Sequence, residues 1–177
     1  MYWRAGLGVT AATEDTPLIS SQALGGYYQT AQRAEVAATI VALQMIPGAL
    51  EYRGDSMYAP KGCLGILNGN PIGPEWEHRD LWQILERYIV QRGATLNSPL
   101  TDPLAFGRVK GHITEEAVRE GRQLRVDKTG NEAADTLAKK GVQQHPDLSV
   151  AVNLYKDVAR QARHNIFMGV RILLARA

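Results

Sequence analysis

Three acidic residues, Glu35, Asp55 and Asp135, lie far apart in the chain. Each is set in a short word: Gln32-Arg33-Ala34-Glu35, Gly54-Asp55-Ser56 and Asn131-Glu132-Ala133-Ala134-Asp135. A fourth word, Val109-Lys110-Gly111-His112, adds a histidine before the last of them. Carboxylates that act together must converge from separate elements, because neighbours along a strand point to opposite faces. A chain that uses these residues as one set has to bring a helix, the end of a strand and a late helix to one place.

The local patterns supply those elements. Residues 4–12 are small and apolar and read as a strand. Residues 13–17 are a turn by composition, and 18–24 read as the return strand closed by Gly25-Gly26, which makes a hairpin. Residues 32–46 contain neither Gly nor Pro and predict a helix with Thr30 near its N-cap, stopped by Pro47-Gly48. Residues 49–53 are a strand candidate leading into Asp55. Residues 57–63 read as a helical turn interrupted by Pro60, and 68–74 as a loop. In 77–91, Leu81, Trp82, Ile84, Leu85, Tyr88 and Ile89 fall at helical spacing. Residues 93–103 read as a loop and 104–109 as a strand that delivers Lys110-Gly111-His112. The charged stretch 113–129 suits an exposed loop or short surface helix, and 131–142 a helix. The order predicts an α/β protein, a mixed sheet with helices packed on it. One domain spans 1–142, and 143–177 form a basic amphipathic helix.

Composition narrows the classes. With 177 residues, 45% hydrophobic and 21% charged, the chain can bury a core of its own. No apolar run approaches the ~20 residues needed to span a bilayer, so no membrane partner is expected. The start, Met1-Tyr2-Trp3-Arg4, lacks a signal-peptide pattern. The single Cys63 excludes an intrachain disulfide and a thiolate metal cluster, which fits an intracellular setting without naming a compartment. The net charge of +2 does not by itself suggest nucleic acid. Within 149–177, however, Lys156, Arg160, Arg163, Arg171 and Arg176 face only Asp157. That tail suits a phosphate backbone. A solvated helix whose stripe of Leu154, Val158, Ala162, Ile166 and Val170 packs on its own domain is the preferred alternative.

Glu35, Asp55 and Asp135 have the chemistry to hold Mg²⁺ or Mn²⁺, hard cations that take oxygen ligands. Two such ions roughly 4 Å apart can activate a water and stabilise the leaving oxygen in phosphodiester hydrolysis. His112 on a loop suits proton movement near neutral pH. Ser56 suits the cap of a helix after Asp55. Taken singly, each has a plainer reading. A Glu in a helix is usually solvated, an Asp in Gly-Asp-Ser is more often an N-cap, and a His after Gly is usually an idle loop residue. The joint order is the specific signal.

That order, with its words, resembles ribonuclease H, the nuclease that cuts the RNA strand of an RNA–DNA hybrid. The similarity covers residues 4–142. It implies Glu35, Asp55 and Asp135 as metal-binding carboxylates, His112 as the catalytic histidine, and Mg²⁺ or Mn²⁺ as the cofactor. It implies an RNA–DNA hybrid as substrate, with Gln32, Ser56 and Lys110 as the candidates for touching it. Asn131 and Glu132 are expected to support the loop rather than bind metal.

The family opens with a strand bearing Asp-Gly-Ser, whose Asp bridges both metals. Here the first strand reads as the family's second, and no acidic residue precedes Glu14. In the family the opening strand is central. The expectation is therefore a ribonuclease H-like sheet interrupted by a gap about 10 Å wide, twice the strand spacing. The chain reads as an N-terminally truncated domain with impaired activity: either a fragment of a retroelement polyprotein, with a reverse transcriptase module as its candidate partner, or an incomplete gene model. The alternative is a catalytically inactive remnant that binds nucleic acid or protein.

Overall fold

The computed structural model describes residues 4–11, 18–26, 28–92 and 104–175, with side chains in the last helix described as far as His164 and at Phe167. The chain divides into two compact units, Met1–His145 and Pro146–Ala177.

In the first unit, β1 (Gly6–Ala11) pairs antiparallel with β2 (Leu18–Ala23), with Gly6 opposite Ala23 and Ala11 opposite Leu18. The turn expected at 13–17 lies outside the described residues, as does the loop at 93–103. Helix α1 (Ala31–Met45) follows, and Thr30 caps it by accepting from the Arg33 N–H. This helix is buried nearly all round, from Val36 through Leu43. Thr39, fully buried, donates its hydroxyl to the Glu35 carbonyl 2.9 Å away and so is satisfied within the helix. Past the end of α1, Arg92 donates to Leu43 O in its last turn and to Ile46 O and Gly48 O just beyond it.

Strand β3 (Leu50–Gly54) pairs in parallel with β4 (Leu104–Arg108). Between them run α2 (Tyr58–Leu67) and α3 (Arg79–Gln91). The full helix α2 replaces the interrupted turn expected at 57–63. Pro60 is its third residue, where a helix has no backbone partner to lose. Helix α3 buries Trp82, Leu85 and Ile89 against α1 and α2. Each such large side chain, fully buried, is worth roughly 1.5–3 kcal/mol. After β4 come α4 (Glu115–Arg119) and α5 (Arg125–Gln143). Helix α5 begins six residues before the expected start, and the charged stretch at its head is helical.

The expected mixed α/β arrangement is observed, and the sheet is interrupted where the gap was expected. No ladder joins β1 to β3: the described strands form two separate pairs, β1-β2 and β3-β4. A cleft of about 770 Å³ is lined by β1, by β3, by Ala34, Ala38 and Ala42 of α1, and by Ala134 and Ala138 of α5. Helix α5 packs so closely on β1 that side chains on Gly6 or Gly8 would meet its backbone.

The second unit is a single helix, α6 (Ser149–Ala175), with Val150, Leu154, Tyr155 and Val158 exposed. Asp147 accepts from the Ser149 N–H at 2.8 Å at its start. Among the described residues no helix is long and apolar enough to cross a membrane.

Candidate active site

Glu35 lies in the second turn of α1 and faces the beginning of α2. Its Oε2 accepts a hydrogen bond from Ser56 Oγ at 2.5 Å. Burial pushes its carboxyl above the ordinary value of 4.5, and the Asp55 charge pushes the same way, against hydrogen bonds from Ser56 and the Ala59 backbone. Below it, the Tyr52 hydroxyl is pushed up to about 12, chiefly by burial, with the Glu35 and Asp55 charges adding to the rise. Tyr52 packs on Phe106 with ring centroids 6.3 Å apart.

Asp55 follows the last residue of β3 and is exposed. Arg108 donates its Nε to the Asp55 carbonyl at 3.0 Å. Ser56 does not occupy the N-cap of α2, as its position in the sequence suggests; Met57 does. The Ser56 hydroxyl nonetheless accepts from the Tyr58 N–H at 3.0 Å, so one hydroxyl organises the turn and holds Glu35.

The Lys110–His112 segment leaves β4 beside Asp55. A Cβ on Gly111 would lie 3.7 Å from Asp55 Cβ and 3.9 Å from Asp55 Oδ2. Val109 and Ile113, both buried, anchor the segment at its two ends. His112 between them adopts a φ of 55° and is exposed, as is Lys110. A non-Gly residue in that left-handed region is uncommon. Gln32 is exposed on the first turn of α1, one turn before Glu35.

Asp135 is exposed on α5 and belongs to the same cleft as Glu35 and Asp55. The expected convergence is thus partial. Glu35 and Asp55 are electrostatic neighbours, but among the described residues no three His, Cys, Asp or Glu side chains stand close enough to hold a metal ion together. Asp135 is carried by the helix that packs on β1, whereas Glu35 and Asp55 belong to α1 and the end of β3, and the cleft lies between the two strands. The donor chemistry suits a hard divalent cation, whose charge would relieve the repulsion between Glu35 and Asp55. The geometry does not assemble the three-carboxylate set.

Two features were not read from the sequence. Arg53 donates to Asp127 Oδ1 at 2.6 Å and to Glu51 Oε1, tying β3 to the head of α5 beside the cleft. The strand-edge Arg and an Asp in the first turn of a helix are ordinary singly, and only the fold pairs them. Arg33, inside the Gln-Arg-Ala-Glu word, donates both terminal nitrogens to Asp80 of α3. Glu132 pairs with Lys128 one turn before it, and Asn131 is half-buried at the cleft.

A family model described as RNase H matches residues 3–143. A protein of Schizosaccharomyces pombe (strain 972 / ATCC 24843) called Ribonuclease H is 31% identical over 145 residues, covering 79% of this chain and 47% of that protein. The chain spans about half the length of that curated relative. The matched region is the first unit, with Glu35, Asp55, His112 and Asp135 all inside it, and the chain belongs to the RNase H family.

Proposed function

We propose that this chain is a ribonuclease H-type hydrolase acting on the RNA strand of an RNA–DNA hybrid, and that its cleavage is weak as it stands. The observation that carries the reading is the pairing of Glu35 and Asp55 beside the Gly111-His112 loop, in a chain of this family. A divalent cation, Mg²⁺ or Mn²⁺, would supply an activated water and charge neutralisation. Glu35 and Asp55 are the residues that would hold it, with Asp135 reaching it from across the cleft. Ser56 keeps the Glu35 carboxylate aimed by donating to it. His112, exposed on a segment anchored at both ends, is placed to exchange a proton with solvent and with a phosphate near Asp55. Lys110 and Gln32, exposed on either side, suit contact with the hybrid.

The unassembled third carboxylate supports a second reading, a hybrid-binding domain without turnover. The two separate on one experiment. A labelled RNA–DNA hybrid incubated with the chain and Mg²⁺ or Mn²⁺ should lose its RNA strand slowly, and Asp55→Asn and His112→Ala should each abolish that loss. Binding of the hybrid without any metal-dependent cleavage would replace the first reading by the second.

A further inference from the structure

Helix α6 carries charge and apolar surface that the proposed cleavage does not use. From Ser149 to His164, where its side chains are described, the residues sort by helical angle at about 100° per residue. Asn153, Lys156, Asp157, Arg160, Arg163 and His164 fall within an arc of roughly 120°. The opposite arc, roughly 200° wide, holds Val150, Leu154, Tyr155, Val158, Ala159 and Ala162, interrupted by Gln161.

The large side chains of the apolar arc are open to solvent. Val150, Leu154, Tyr155 and Val158 are each more than half exposed. An apolar arc about 200° wide is broader than the seam that pairs two helices in a coiled coil, so one partner helix would leave much of it wet. A bilayer surface covers such an arc whole, because a helix lying in its plane sinks its apolar side to the acyl boundary. Tyr155 suits that level, with an apolar ring and a hydroxyl for water. A helix that lies in the surface need not span it, and among the described residues no helix is long and apolar enough to cross a membrane.

The polar arc selects the kind of surface. Arg160 is paired with Asp157 at 2.5 Å, and Arg163 donates its Nε to the Ala159 carbonyl. Among the described residues no acidic side chain pairs with Lys156 or Arg163. Both fall at one edge of the polar arc, next to Val152 and Ala159. At such an edge a long basic side chain reaches a headgroup while its stem lies along the apolar surface. Unpaired positive charge beside an apolar face is complementary to anionic headgroups.

We propose that α6 is an interfacial helix that docks the chain on anionic lipid bilayers. The proposal concerns α6 alone and holds whether or not the chain cleaves a hybrid.

The full chain is sedimented with phosphatidylcholine vesicles, plain or with about a third of the lipid replaced by phosphatidylserine. Each basic side chain near an anionic surface is worth about fivefold, so Lys156 and Arg163 together should make partitioning onto the anionic vesicles about twenty-five-fold stronger than onto plain ones. That margin should close in about 1 M salt, and in Lys156→Gln with Arg163→Gln. Leu154→Gln with Val158→Gln should weaken binding to both vesicles at least about tenfold. The melting temperature should hold, because both side chains are exposed and Gln keeps helix propensity. Equal partitioning onto the two vesicle types, or none at millimolar lipid, would overturn the proposal. So would a melting temperature lowered by Leu154→Gln with Val158→Gln, or a dimer that this pair of substitutions dissolves, since either shows the apolar arc already covered by protein. A salt-sensitive affinity for an RNA–DNA hybrid, lost in Lys156→Gln with Arg163→Gln while vesicles stay unbound, would give the basic edge to nucleic acid instead.

Discussion

Ser56 Oγ stands 2.5 Å from Glu35 Oε2 and 3.0 Å from the Tyr58 amide nitrogen, so a single hydroxyl locks the head of α2 to the second turn of α1. Ser56→Ala removes the donor to a half-buried carboxylate and the acceptor of a backbone N–H together. A hydrogen bond to a charged group is worth about 1.5–3 kcal/mol, and partial solvent access reduces that. The expected loss is about 1 kcal/mol, seen as a fall of roughly 2–4 °C in a thermal melt at neutral pH. An unchanged melt would show that Glu35 is not held by Ser56.

Glu35 itself should make the protein less stable when ionised. Its carboxyl is raised in the folded state, first by burial and then by the Asp55 charge. A raised carboxyl binds its proton more readily folded than unfolded. The contribution to stability is therefore fully present below the ordinary value of 4.5 and is lost as pH rises through the raised value. Glu35→Gln should melt about 1–3 °C above the unsubstituted chain at pH 7, and the two should coincide near pH 3. Melts across that range, with the variant no more stable at pH 7, would contradict the placement.

The Arg33–Asp80 pair behaves in the opposite sense. Hydrogen bonding to the Arg33 guanidinium holds the Asp80 carboxyl below its ordinary 3.8. Its stabilisation is present above that value and fades as pH falls through the lower folded one. Asp80 is 59% exposed, which keeps the pair near the surface range of about 0.5–1 kcal/mol. Arg33 is 11% exposed and its Nε has no partner, so removing Asp80 strands a buried charge and favours the upper end. Asp80→Asn should lower a neutral-pH melt by about 2–4 °C and leave a melt at about pH 2 unchanged.

Gly8 has the tightest consequence for packing. A Cβ there would overlap the Ala134 carbonyl and press on Ala138 N of α5. Backbone cannot swing aside as a side chain does, so Gly8→Val should cost roughly 1–3 kcal/mol or more. Urea denaturation would show the midpoint shift. A neutral outcome would mean that α5 does not lie on β1 as described.

The words that name the site also marked its framework. Thr30 was legible as the cap of α1 because a Ser or Thr before an uninterrupted helical run has few other uses. The stripe on α3 followed from helical spacing, and β3 and β4 were read as the short segments that lead into Asp55 and into Lys110-Gly111-His112. The early start of α5 was not legible, because Arg125 to Gly130 is charged and contains a glycine, and its head is held by the Arg53–Asp127 pair that only the fold creates, beside the local Lys128–Glu132 pair. Pro60 misdirected the reading of α2, since a proline breaks a helix interior but not a first turn. The interrupted sheet was anticipated from the order of the words. How near Asp135 comes to Glu35 and Asp55 was not legible, because that distance is set by how far the two half-sheets stand apart.

The central claim is that Glu35 and Asp55 form the working pair of a ribonuclease H-type site. The most direct measurement is single-turnover cleavage of an end-labelled RNA–DNA hybrid by the full chain in Mn²⁺ or Mg²⁺, beside Asp55→Asn. Slow cleavage of the RNA strand alone, suppressed by the substitution at least about a hundredfold, is the predicted result; the figure takes the upper loss seen for residues that merely support a metal ligand as a floor for a ligand itself. Cleavage that persists unchanged in Asp55→Asn would contradict it.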